Sequence, residues 1–255
     1  MGEIVNVIGI PVNVINDKEL SGIMHSYVSN DIMNIVYMIS VGTLRSAAVM
    51  PAVKDAICGA DIILPAEKML LSKSERKKAR NMVTDYEALL YLLRRHNIIK
   101  SVYILGSNQK NTQLFEQVLL QSRKSDITIC GVHSMDEQYN DETIINEINS
   151  EVPDAVILAM DSPELENWLT SHRQKINAKM CIALADILEV IVKENTEPSA
   201  FVKKFGLEKL YYYLVRKKYA ESKKNERILN SILAEYNKKR GCEDNEYSAD
   251  KEPYI

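Results

Sequence analysis

Seven short runs rich in valine and isoleucine constrain the fold of this chain more than any other feature: Ile4–Ile10, Ile35–Ile39, Asp61–Leu64, Ser101–Leu105, Ile127–Cys130, Ala155–Ala159 and Met180–Leu184. They are mostly apolar throughout rather than alternating. A strand with one wet face alternates, whereas a strand covered on both faces does not. Between them lie helix-like runs at Lys18–Val28, Leu44–Ile57, Tyr86–His96, Thr112–Ser122, Glu142–Ser150, Pro163–Lys175 and Ser199–Tyr219. Strand alternating with helix predicts the α/β class: a Rossmann-like, mostly parallel sheet with flanking helices and a helical C-terminal appendage. Pro51 falls inside its run, so that helix kinks or starts late. Ser162 before Pro163 predicts an N-cap followed by a first-turn proline.

With 46% hydrophobic and 26% charged residues, the 255-residue chain can bury one sizeable core with an appendage. A net charge of −3 gives no overall basic footprint, and no nucleic-acid partner is predicted. The four cysteines are far apart, without a CxxC pair. Cys58, Cys130 and Cys181 sit in or beside apolar runs, as buried thiols of a reducing cytoplasm do. No cofactor and no metal site is predicted, because no His, Cys or carboxylate cluster has ligand spacing. The first residues lack a basic region and a cleavage site, and no apolar run approaches the length of a membrane span. The expected location is cytoplasmic, with peripheral contact at the inner face of the cell membrane as an option for the appendage.

Composition changes after Leu214. Arg216 to Arg240 contains nine basic and three acidic residues, with Ile228, Leu229, Ile232, Leu233 and Tyr236 on one helical face. The chain is therefore divided into a core (residues 1–200), a basic helical appendage (201–240) and an acidic tail (241–255) with the composition of a disordered end. The appendage carries three readings: a solvated helix, a membrane-surface helix and a partner-helix surface. Residues 216–240 are expected to contact an anionic membrane or a partner protein, the alternative being that the apolar stripe packs onto its own core.

Five segments in order resemble one family. Gly9-Ile10-Pro11-Val12, Ala60-Asp61-Ile62-Ile63-Leu64-Pro65, Val102-Tyr103-Ile104-Leu105-Gly106, Ser162-Pro163-Glu164-Leu165-Glu166 and Gly206-Leu207-Glu208-Lys209-Leu210-Tyr211 are similar to motifs of the WecG/TagA/CpsF glycosyltransferases. The resemblance covers roughly residues 4 to 220. It implies a UDP-sugar donor, an acceptor sugar linked to polyprenyl pyrophosphate, and a place in envelope polysaccharide assembly.

The departures from that family fall on chemistry. Its proposed general base, an aspartate after L-P, aligns with Ala66, and a methyl group takes no proton. Its T-x-N aligns with Met38-Ile39-Ser40, its P-K-Q-E glutamine with Leu165, and its G-V-G-G turn with Ala183-Leu184-Ala185-Asp186. Its R-A-P arginine aligns with Glu197 and its late L-Y-R arginine with Tyr212. Glu67 carries two readings, a substitute base beside Ala66 or a carboxylate at a helix N-terminus. Candidate substrate-binding residues are Ser40, Asp85, Gly106, His133, Glu166 and Glu189. Asp85 follows Thr84 and equally marks a helix start. His133 follows Gly131 on an expected strand-end loop, with a surface histidine as the plainer reading. Asp61 is expected to order the beginning of its strand, Met160 and Trp168 to be core, and His25, His96 and His172 to lie on polar helix faces.

Two functions follow. One is a catalytically silent binding or scaffolding subunit, beside an active homologue or as an oligomer, with weak UDP-sugar affinity. The other is an active transferase using residues the family does not use. Ala66, Leu165, Asp186 and Glu197 favour the first.

Overall fold

A computed structural model describes residues 2–71, 82–84, 88–89, 93, 98–120, 127–137, 139–185 and 224–239. Asp85, Asp186, Glu189, Glu197, Tyr212 and the basic residues 216–223 lie outside them, as do the tail and the expected helix at Ser199–Tyr219.

Six parallel strands form the central sheet in the order β4-β3-β8-β7-β5-β6. They are β3 (Asn34–Ile39), β4 (Ile62–Pro65), β5 (Ser101–Gly106), β6 (Thr128–Ser134), β7 (Ala155–Ala159) and β8 (Met180–Leu184). Every residue of β3, β4, β7 and β8 is buried, as the unbroken apolar runs require. One face packs α1 (Asp17–Val28) and α4 (Gln109–Leu120) through Leu20, Met24, Phe115 and Leu119. The other packs α2 (Val41–Val49), α3 (Pro51–Cys58), α5 (Asp141–Glu151) and α6 (Glu164–His172). The result is a three-layer α/β sandwich.

The run Ile4–Ile10 is not one strand. It folds into an antiparallel hairpin of β1 (Glu3–Val7) and β2 (Ile10–Val14), separate from the large sheet. The two turn residues, Ile8 and Gly9, both have positive φ (50° and 82°), as a two-residue I′-type connection demands. The Asn6 side chain accepts the Gly9 N–H at 2.8 Å and holds the turn closed. β2 then lies along β4, where Asn13 Oδ1 accepts the Ile63 N–H at 2.9 Å and blunts that sheet edge.

Helix starts follow local chemistry. Asn16 and Asn140 cap α1 and α5 through the N–H groups of Glu19 and Thr143. The run Leu44–Ile57 is two helices, because Pro51 cannot continue α2 and instead takes the first position of α3. α6 corrects a second expectation: Pro163 occupies the N-cap position, and no side chain caps that helix. Asp61 Oδ2 accepts the Ile35 N–H at 2.7 Å and so orders the beginning of β3.

Helix 224–239, here α7, resolves the readings of the apolar stripe. Leu229 is buried in the core, and Ile228, Ile232, Leu233 and Tyr236 pack against it. Lys54 Nζ lies 5.8 Å from the Tyr236 ring centroid, a cation–π contact that adds to the docking. Within the described residues the stripe packs on the protein's own core, the alternative named above. Burial of one leucine alone contributes about 1.5–3 kcal/mol. Among the described residues, no helix is long and apolar enough to cross a membrane. The cysteines also differ from expectation: Cys181 is buried, with burial pushing its thiol up to about 12, whereas Cys58 is exposed at the end of α3.

Gly106 ends β5 where α4 crosses closest. A Cβ there would stand 2.0 Å from Thr112 Oγ1 and 3.1 Å from Thr112 Cβ. Gly106→Ala is expected to lower stability by about 1–3 kcal/mol in urea melts. Adding Thr112→Ala should recover part of that loss, since the two sites share one contact.

Candidate functional site

Parallel strands all end on one side, and the loops leaving that edge are where open α/β sheets build their sites. Here the edge comprises Ser40 after β3, Ala66 and Glu67 after β4, Gly106 of β5, Ser134 of β6, Met160 and Asp161 after β7, and Ala185 after β8.

Ala66 is only 2% exposed. Its N–H donates to the Ile39 carbonyl at 2.9 Å, continuing the β3–β4 ladder past Pro65. Strand alternation sends Ile62, Leu64 and Ala66 to the same face, and the Ala66 methyl packs in the cluster that also holds Ile15, Val83 and Leu184. Ala66 is thus an apolar, buried position at the strand edge. Leu165, at the aligned glutamine, and Ala185, in the aligned glycine turn, are both 0% exposed in the opposite cluster.

Ser40 and Glu67 meet at the start of α2. Ser40 Oγ accepts the Thr43 N–H at 2.9 Å, and the Thr43 hydroxyl accepts the Ser40 N–H, making a capping box. Glu67 Oε1 accepts the Val41 N–H at 3.0 Å, so its charge lies at the positive end of that helix. Its second oxygen accepts from Asn225 Nδ2 at 3.2 Å, tying α7 to the strand edge.

The other candidates stand apart. Three strands lie between β3 and β6, and the four inter-strand spacings place His133 roughly 19 Å across the sheet from Ser40. His133 lies within β6 rather than on a loop, and pairs in register with Leu105. Its ring nitrogens are 3.2 Å from Glu137 Oε2 and 2.7 Å from Glu147 Oε2, and Tyr139 packs edge-on at 4.6 Å. Glu166 is 1% exposed in the first turn of α6, where its carboxylate accepts the Tyr37 hydroxyl of β3 beneath the sheet. His172 is not on a polar face: it and Trp168 Nε1 both contact the Asp141 carboxylate, at 3.1 and 3.0 Å, joining α6 to α5. Among the described residues no cluster of His, Cys, Asp and Glu is arranged to hold a metal ion.

A groove of about 340 Å³ runs beside this edge along α2. Gly42, Arg45, Ser46 and Val49 line it at i, i+3, i+4 and i+7, one helical face, with Met50 and Ser162 opposite or beyond. Sequence reasoning missed it. Arg45 stands in a small-residue run outside the aligned motifs, and only the helical spacing of Gly42, Arg45 and Ser46 hinted at a shared face.

The model of the glycosyl transferase WecG/TagA/CpsF family matches residues 5–219. The chain belongs to that family. It is also similar to N-acetylglucosaminyldiphosphoundecaprenol N-acetyl-beta-D-mannosaminyltransferase from Staphylococcus aureus strain MRSA252, with 24% identity over 116 residues. The match covers 46% of this chain and 45% of that relative. Proteins of the same name from strains NCTC 8325 and COL are 23% identical over the same share. The chain thus spans less than half the length of the relatives it matches.

Tyr103 of β5 shows how this family's strand motif is used structurally. Its ring lies over Gly131, where a Cβ would stand 2.2 Å from the ring edge. The hydroxyl is buried, and burial, with the nearby Glu147 carboxylate, pushes the phenol well above its ordinary 10.0. The unfolded phenol ionises first, so this contribution is full below pH 10.0 and falls as pH rises past it. Tyr103→Phe is expected to leave stability at neutral pH unchanged or slightly raised. Urea melts above that pH should show the variant losing less stability than the parent.

Proposed function

We propose that this chain serves envelope polysaccharide assembly at the inner face of the cell membrane, as a WecG/TagA/CpsF subunit that binds or scaffolds rather than transfers sugar. Family membership supports the pathway class. The relatives are named for placing an N-acetylmannosaminyl group on a diphosphoundecaprenol-linked N-acetylglucosamine, and the reading carries that class of lipid-linked acceptor to this chain. The observation that carries the silent role is Ala66, a sealed methyl where the aligned family residue is a carboxylate. A general base contributes about 10²–10⁴-fold to such a transfer. Leu165 and Ala185 support the same reading, because each replaces a group able to hydrogen-bond or approach a nucleotide with buried apolar surface.

The active-transferase reading is favoured by one feature, the Glu67 carboxylate at the strand edge. Its two oxygens each accept one hydrogen bond, from the Val41 N–H and Asn225, so base chemistry would have to use the remaining lone pairs of a carboxylate held in that orientation.

Calorimetry is the direct test. No low-micromolar dissociation constant is expected for UDP or UDP-N-acetylhexosamines, since Asp186 and Glu197 bring negative charge to positions aligned with phosphate contacts. A low-micromolar value would overturn the weak-binding part. Ala66→Asp is expected to give no turnover with a lipid-pyrophosphate acceptor, because positioning and phosphate stabilisation are separate, large contributions. If the parent protein turns over and Glu67→Gln abolishes it, with the fold intact, Glu67 is the base and the silent role fails.

A further inference from the structure

We infer that the corner between α2 and α3 is the face this protein sets against an anionic lipid bilayer. The core-facing sides of both helices are already satisfied, with Val41, Leu44, Ala47, Val53 and Ile57 all buried. An amphipathic surface helix should then show water its polar side. Instead the consecutive run Ala48-Val49-Met50-Pro51-Ala52 is exposed, with Val49 at 75% and Met50 at 38%. Met50 has an extended backbone (φ −123°, ψ 99°) between the two helices, so the apolar side chains sit at a corner, not along a flat face.

Charge identifies the occupant. Arg45, one turn before Val49 on the same face, is exposed and makes no hydrogen bond or ion pair among the described residues. Arg45 and Ser46 line one groove together with Val49 and Met50. A cation and hydroxyl beside a small apolar tip match a lipid interface, where phosphate lies above hydrocarbon. Lys54 on α3 is turned to the Tyr236 ring, so Arg45 is the cation of this corner, and Asp55 is its acidic neighbour. A protein partner fits less well, because a stable interface takes roughly 20–30 residues a side and this corner offers six. The stripe on α7 does not compete for the role, since Leu229 has committed it to the core. Ser162 shares the groove and follows β7, so the lipid face adjoins the carboxyl edge.

The inference rests on the reading that the chain works on lipid-linked polysaccharide, and its test is separate from that reading. Full-length protein is floated with phosphatidylglycerol–phosphatidylcholine vesicles and with phosphatidylcholine vesicles, without donor or acceptor. Binding is expected with the anionic vesicles. Val49→Asp with Met50→Asp should weaken it by at least about tenfold, and Arg45→Ala by about fivefold, with urea midpoints unchanged. Failure of the parent protein to float overturns the inference, as does flotation that ignores these substitutions. A lowered urea midpoint in the double variant means that the chain's own segments cover the corner, and an oligomer dissolved by it means that a second copy does; either result overturns it too. Sugar transfer in a separate assay bears on the proposed silent role alone.

Discussion

A parallel sheet joined by helical crossovers has no face left for water, and this constraint governs where every polar group of the core can go. Side chains on β3, β4, β7 and β8 must be apolar on both sides, so hydrogen-bonding chemistry is confined to strand ends and helix starts. At the amino ends, carboxylates accept strand N–H groups: Asp61 that of Ile35, and Asp154 those of Lys100 and Ser101. At the carboxyl ends, Ser40 and Glu67 close the first turn of α2. Even Glu166, a carboxylate inside a helix–sheet layer, is there because Tyr37 supplies a donor.

The same constraint governs which residues the proposed silent role rests on. Ala66, Leu165 and Ala185 lie where strand alternation and helix phase turn side chains inward. An apolar residue at such a position adds to the core and asks for no partner. A polar residue there would need either a ligand or an open site to offset its desolvation. Packing therefore accepts these replacements without strain, and α7 adds to them by resting on the same layer through Leu229 and on Glu67 through Asn225.

Much of the fold was legible because strand identity depends on local composition. β7 and β8 match the apolar runs residue for residue, and the parallel, doubly covered sheet follows from their lack of alternation. The hairpin was not legible. Its turn is written as Ile8-Gly9 within an otherwise continuous strand-like run, and a β-branched residue at positive φ is an uncommon turn former. The divided helix was half legible, since Pro51 announced a kink or a late start but not that a separate helix precedes it.

Sequence by itself determined the parallel strands, most of the helices and the family, because each of these is carried by residue type and near-neighbour spacing. Only the tertiary structure decided what the surviving polar groups do. Glu67 finds its partners 26 and 158 residues away, the Trp168 indole reaches Asp141 from another helix, and the stripe of α7 meets a core built mostly from the first 185 residues. His133 and Ser40 look alike as strand-end candidates in sequence, but strand order separates them by most of the sheet's width. Which groups meet is fixed by chain crossings between distant segments, and those crossings leave no local mark on the residues they bring together.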